Sequence, residues 1–186
     1  MPFDDERELI DACKRGDSSA FSQIYEIYKD KVHSLAYYMT GEKEAAKDVT
    51  QQVFLKVFTS IITFQYKASF SSWLYRLAIN VCRDYQRSTR RMKLLFIGVR
   101  NETRIYDSSS SLEGSLSKEG LSQLVQNVIM KMSPKLRTVV ILKYIEDLSY
   151  SQIAELLGCS VGTVSSRLNR SHKILAQELK EFKRFL

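Results

Sequence analysis

Only two prolines and seven glycines occur in 186 residues. Such scarcity disfavours a turn-rich β fold and favours helices. The three cysteines, Cys13, Cys82 and Cys159, lie far apart and form no C-x-x-C pair. Their odd number argues against a disulfide framework, and neither histidine, His33 or His172, stands at ligand spacing from a cysteine, so no metal site is expected. Buried free thiols in a reducing cytoplasm are the simple reading. The apolar runs are too short to cross a bilayer, and the acidic start MPFDDERELI lacks an apolar core, so neither a signal peptide nor a membrane-inserted segment is expected. A Gly-rich phosphate loop, H-E-x-x-H and G-x-S-x-G are all missing. No catalytic residue, no cofactor and no enzyme activity are therefore expected.

What is present is helical periodicity and positive charge. Hydrophobic residues make up 44% of the chain, enough for a core, and the net charge of +7 suits a polyanionic partner or an ordinary basic surface. Residues Glu6 to Lys14 read as a helix closed by Arg15-Gly16-Asp17. Ser18 or Ser19 then caps a second, with Phe21, Ile24, Tyr25, Tyr28, Val32, Leu35 and Ala36 on one face and Gly41 at its end. A third helix runs from about Lys43 to Thr59. Val49, Val53, Val57 and Ile61 form its apolar stripe, widened by Phe54 and Phe58. After a loop from Thr63 to Ser71, a fourth helix runs from about Ser72 to Arg91, with Leu74, Leu77, Ala78 and Val81 inward. The segment holding Asp107 and Ser108 to Ser111 has few core-forming positions and reads as an extended, mobile linker. Helical periodicity resumes near Glu119. The expected fold is all-α: two small helical domains, residues 1–95 and 118–186, joined by a flexible linker over 96–117. The run Leu94 to Ile97 either docks on a partner or extends the fourth helix.

The stretch SQIAELLGCSVGTVSSRLNR, Ser151 to Arg170, carries a helix-turn-helix signature. Ser149 and Gln152 form a capping box. Ile153, Leu156 and Leu157 supply an apolar face, and Gly158 suits the left-handed position that ends the first helix. Ser160 caps the second, with Val161, Val164, Leu168 and Leu175 inward. At 100° per residue, Gly162, Ser166, Asn169, Arg170 and Lys173 lie opposite that stripe, flanked by Ser165 and Arg167. Small residues let such a helix enter a major groove; Asn and Arg bond base edges, and Ser165, Lys173 and Thr163 suit phosphates. The competing reading is a helical hairpin with a solvated charged face.

The stretch ASFSSWLYRLAINVCRDYQRSTRR, Ala68 to Arg91, interleaves aromatics with cations. Duplex readers need few aromatics, whereas unpaired bases stack on rings while cations track the backbone. An edge partner such as Asn80 completes a base pocket. Phe70 and Trp73 are read either as core or as stacking platforms. One chain thus holds a candidate single-strand binder and a candidate duplex reader, a combination suited to promoter recognition. A stand-alone dimeric helix-turn-helix regulator is the alternative; it would bind a palindromic operator unaided and has no need of the aromatic-basic stretch.

Three patches in order resemble a family. DVTQQVFLKVF (Asp48 to Phe58), FSSWLYRLAINVCRDYQR (Phe70 to Arg87) and LSYSQIAELLGCSVGTVSSRLNRSHKIL (Leu148 to Leu175) together resemble a bacterial sigma factor of the extracytoplasmic-function (ECF) group, over nearly the whole chain. The resemblance implies that Asp48, Gln51, Gln52 and Phe54 contribute to the core polymerase interface. It implies that Phe64, Lys67, Phe70, Trp73 and Asn80 surround an unpaired minus-ten base while Arg83, Arg87 and Arg90 hold nearby phosphates. It also implies that Thr163, Ser165, Ser166, Arg167, Asn169, Arg170 and Lys173 face the minus-thirty-five duplex. The partners implied are core RNA polymerase, through its β′ coiled coil and β flap, promoter DNA and an anti-sigma factor. The function implied is promoter-specific transcription initiation in an envelope or stress response, in the cytoplasm. Several family members carry Arg or Lys where this chain has Ser165, and Arg where it has His172.

Overall fold

The computed structural model describes residues 5–96 and 118–182. Among them stand eight α-helices, one short 3-10 turn and no strand. The first four helices are α1 (Glu6–Lys14), α2 (Ser18–Thr40), α3 (Lys43–Ser60) and α4 (Phe70–Phe96), with the 3-10 turn Ile61–Thr63 between α3 and α4. The second set is α5 (Lys118–Lys131), α6 (Pro134–Tyr144), α7 (Tyr150–Leu157) and α8 (Val161–Phe182). The expected linker lies outside the described residues, except that α4 continues through Phe96, so Leu94 and Leu95 are helical and exposed.

Local chemistry explains most helix ends. Asp5 caps α1, with Glu6 and Glu8 in the first turn and Lys14 in the last, matching the helix dipole. Asp17, and neither Ser18 nor Ser19, caps α2: its carboxylate accepts the N–H groups of Ser19 and Ala20 at 2.8 and 3.2 Å. Gly41 ends α2 at φ 85°, in the left-handed region. The capping box at Ser149 and Gln152 forms as expected, and Gly158 ends α7 at φ 61°.

The inward stripes close into one continuous apolar cluster that includes Ile24, Leu35, Val53, Leu74, Ile129, Ile141, Ile153 and Leu168. Both sets of helices contribute to it. One contact between them lies at the C-terminus of α2, where the last carbonyls lack helical donors and only the Tyr37 carbonyl is reached by the capping Gly41 N–H. The Met39 carbonyl accepts from Arg137 Nη1 and from Gln86 Nε2, both at 2.7 Å. The Tyr37 carbonyl accepts from Gln126 Nε2 at 2.9 Å. Arg137 is buried, and it also donates to the carbonyls of Ile129, Met130 and Met132 at 3.2, 2.7 and 3.2 Å. One guanidinium thereby caps the negative ends of α2 and α5 together, which explains a buried cation without a carboxylate beside it.

A second tie joins Tyr75 on α4 to Glu146 after α6, with the phenol donating to the carboxylate. Burial pushes the Glu146 carboxyl above its ordinary value near 4.5, opposed by the Tyr75 hydrogen bond and by Lys31. A carboxyl raised in the folded state holds its proton longer there than in the unfolded chain. Its contribution is therefore full below the ordinary carboxylate pKa and declines as pH rises. Glu146→Gln keeps an acceptor for Tyr75 without the charge. It is expected to raise the urea midpoint at pH 7 and to flatten the decline from pH 4.5 upward; an unchanged slope would show that Glu146 carries no such linkage.

Candidate nucleic-acid interface

On α8, Ser160 precedes the first turn and accepts from Thr163 N at 3.1 Å, with the two hydroxyls 2.9 Å apart. Val164 and Leu168 are fully buried, so the helix is seated on its apolar stripe. Gly162, Ser166, Asn169, Arg170 and Lys173 are exposed, as the periodicity predicts. Thr163, Ser165 and Arg167 are half-buried. The Arg167 guanidinium turns back to 4.0 Å from Cys159 Sγ, and Ser166 Oγ donates to the Thr163 carbonyl at 3.0 Å. Val161, expected inward, is 49% exposed because it precedes the first full turn packed on α7. His172 is exposed and lies 2.6 Å from the Tyr144 hydroxyl, tying α8 to α6.

On α4, Leu74, Ala78, Val81 and Cys82 are buried, which turns Arg76, Asn80, Arg87 and Arg90 outward and leaves Arg83 half-buried. Burial pushes the Cys82 thiol up to about 12, and Cys13 is likewise buried, whereas Cys159 is only partly so. The aromatics divide differently from the expectation. Phe64 and Phe70 are core side chains, 5% and 1% exposed, and so present no ring face to a base. Their rings meet edge-on at 5.7 Å, and half-buried Trp73 packs against both at 5.4 and 5.5 Å. Lys67 is exposed on the loop 64–69. Edge-on packing of this kind rigidifies the base of that loop.

The outward side of α3 also departs from expectation. Asp48, Gln51 and Gln52 are exposed, but Phe54 is 4% exposed and packs edge-on against Tyr25 at 4.7 Å. Phe58, expected to widen the inner stripe, is instead 60% exposed, in line with Leu55 at 65% and Ile62 at 70%. Gln51, Leu55 and Phe58 are spaced four and three residues apart, so they share one face of α3, and Ile62 is exposed on the 3-10 turn that follows. That spacing was in the sequence; the competing Val49–Val53–Val57 stripe masked it.

Between the two sets of helices runs an open cleft of about 350 Å³, lined by Arg76, Ile79, Asn80 and Arg83 from α4 and by Glu155 to Gly158 at the end of α7. Arg76 Nη2 lies 3.4 Å from the Glu155 carbonyl across it. The polar face of α4 is thus accessible but confronted by α7. Among the described residues no helix is long and apolar enough to cross a membrane.

A helical unit with exposed arginines on α4 is followed by the helix-turn-helix of α7 and α8. Two family models match the chain: Sigma-70 region 2 over residues 24–92 and Sigma-70 region 4 over residues 122–175. The chain belongs to the ECF RNA polymerase sigma factors. It is 35% identical over 181 residues to the ECF RNA polymerase sigma factor SigW of Bacillus subtilis, covering 94% of this chain and 97% of the relative. It is 30% identical over 175 residues to the ECF RNA polymerase sigma-E factor of Escherichia coli K12, covering 90% of each. Its fold is similar to that of CnrH, solved in complex with the cytosolic domain of CnrY, with a TM-score of 0.69 at 22% identity over 95% of this chain and 97% of that one.

Proposed function

We propose that this chain is a promoter-specificity subunit of RNA polymerase, divided into a region 2 unit (1–95), a connecting segment (96–117) and a region 4 unit (118–186). The observation that supports this most directly is the order of two accessible faces on one chain. Asn80 and the arginines of α4 come first, and the polar-basic side of α8 follows. In this reading Gly162 lets α8 approach the groove floor of the minus-thirty-five duplex. Ser166, Asn169 and Arg170 bond base edges, and Thr163, Ser165, Arg167 and Lys173 serve the backbone. Asn80 meets the edge of an unpaired minus-ten base, half-buried Trp73 offers the part of its ring left uncovered, and Lys67, Arg83, Arg87 and Arg90 track the strand. Phe64 and Phe70 support the pocket from beneath.

Docking uses the exposed side of α3, through Asp48, Gln51 and Gln52, on the β′ coiled coil, while the region 4 unit meets the β flap. The chain supplies no bond-making chemistry of its own and works in the cytoplasm with the polymerase. Because α7 confronts α4 across the cleft, the two units part when both promoter elements are engaged, and the free chain binds promoter DNA poorly. The sigma factor RpoE of Bartonella quintana is solved with the anti-sigma factor NepR, and CnrH with the cytosolic domain of CnrY; an anti-sigma partner is proposed here too, in an envelope or stress response.

The direct test is run-off transcription with purified core polymerase on genomic fragments. A promoter-specific transcript that depends on this chain is expected; tight operator binding by the chain alone would favour a stand-alone regulator instead. Asn80→Ala is expected to reduce open-complex formation about ten-fold, the worth of one good base-edge contact, with core binding unchanged. Permanganate reactivity of unpaired thymines reads the first and a binding titration the second. Equal loss in both would show that Asn80 is not part of a base pocket.

A further inference from the structure

The loop 64–69 contains one unusual backbone conformation. Tyr66 sits at φ 58°, in the left-handed region that a bulky side chain seldom occupies without external support. The support comes from α1. The Tyr66 hydroxyl donates to Asp11 Oδ1 at 2.5 Å and lies 3.4 Å from the Arg7 carbonyl. Its ring receives Lys14 Nζ at 4.1 Å and the Arg7 guanidinium at 4.9 Å from its centroid. On the other side the ring meets Phe64 at 4.9 Å. Asp11 is itself held 3.7 Å from Lys14. The hydrogen bond from Tyr66 keeps the Asp11 carboxyl below its ordinary value, and burial together with that bond pushes the phenol up to about 12, so the pair keeps its donor and acceptor roles throughout the neutral range. The α1 residues lie outside the segment matched by the region 2 model, which begins at residue 24.

We propose that Tyr66 and Asp11 are positioning residues: α1 clamps the loop 64–69 in the shape that receives an unpaired minus-ten base. This rests on the reading of that loop as part of the single-strand site. Neither residue need touch the base; the clamp fixes Lys67 on the exposed side and removes loop freedom that binding would otherwise have to freeze.

The test uses the complex of this chain with core polymerase. The probe is a labelled single-stranded oligonucleotide carrying the non-template minus-ten sequence of a promoter transcribed with this chain, together with versions bearing one substituted base. Tyr66→Phe and Asp11→Asn are each expected to weaken the matched oligonucleotide about three- to ten-fold, the range for one lost hydrogen bond. Both should narrow its preference over the substituted ones. The double variant should be no worse than either single variant, because both remove the same bond. Affinity for minus-thirty-five duplex and core assembly should stay unchanged, and the melting temperature should fall by only a few degrees, the worth of one hydrogen bond. Losses that multiply in the double variant, base preference left intact, or an equal loss on the duplex would overturn the proposal. If the natural chain itself shows no base preference, the loop is not a base-reading site, and the inference falls with that reading whatever the variants do.

Discussion

Core polymerase is expected to bind a Phe58→Asp variant at least about 100-fold more weakly than the natural chain. The inner side of α3 is fully committed to the core through Val49, Val53 and Val57, each 0% exposed. The helix is therefore held rigidly, and its outward side is displayed without freedom to turn. On that side Leu55 and Phe58 stand exposed beside Gln51, with Ile62 exposed on the turn that follows, and exposed apolar side chains grouped in this way mark a protein interface. Truncating a central aromatic anchor typically removes about 2–4 kcal/mol, and a carboxylate placed there must also be desolvated. A total near 3 kcal/mol corresponds to about two decades in affinity. In the free chain Phe58 makes one edge-on contact, with Phe21 at 5.2 Å, so the variant should fold. Phe54→Leu gives the contrast: Phe54 is internal, so that change should lower the melting temperature with little effect on core binding. A titration of labelled chain with core polymerase decides the matter. Affinity retained in Phe58→Asp would mean that polymerase docks elsewhere.

Arg137→Ala is expected to destabilise the chain by about 3–5 kcal/mol, the range for removing one partner of a buried charged network. The guanidinium satisfies four carbonyls, those of Met39, Ile129, Met130 and Met132. Alanine leaves all four without their cation, in a site that water enters only by separating the helices. For a chain of this length such a loss lowers the melting temperature by about 10 °C. Amide exchange should rise first at the C-termini of α2 and α5, because Arg137 caps both. Arg137→Lys should recover only part of the loss, since an ammonium keeps the charge but cannot span acceptors on two helices with a planar fork. Should Arg137→Ala melt within a degree or two of the natural chain, the contact between the two sets of helices is not built on this residue.

Burial explains where periodicity placed side chains correctly. On α8, a strongly apolar stripe at Val164 and Leu168 left one polar face, and Gly162, Ser166, Asn169, Arg170 and Lys173 emerged exposed. On α3 two apolar stripes compete, and nothing local says which faces the core; Phe54 took its place on the inner stripe, whereas Phe58, expected there too, faces outward. Phe70 was open to both readings because aromatics interleaved with arginines serve both cores and nucleic acids, and only the packing around Trp73 separates the two; Phe64 was placed at the pocket by the resemblance alone. The clamp on Tyr66 was equally hidden, since it joins residues 55 positions apart through one hydroxyl.

Helix identity, most helix ends and the exposed polar side of α8 followed from the chain alone. Capping and periodicity are interactions between residues one to four places apart, and such interactions are written directly in the order of residues. The docking of α5, α6 and α7 onto α2 and α4 was decided by tertiary structure. Arg137 and Gln126 reach main-chain carbonyls about 90 to 100 residues away. Every residue offers a carbonyl, so no side-chain pattern announces which ones a distant guanidinium or amide will find.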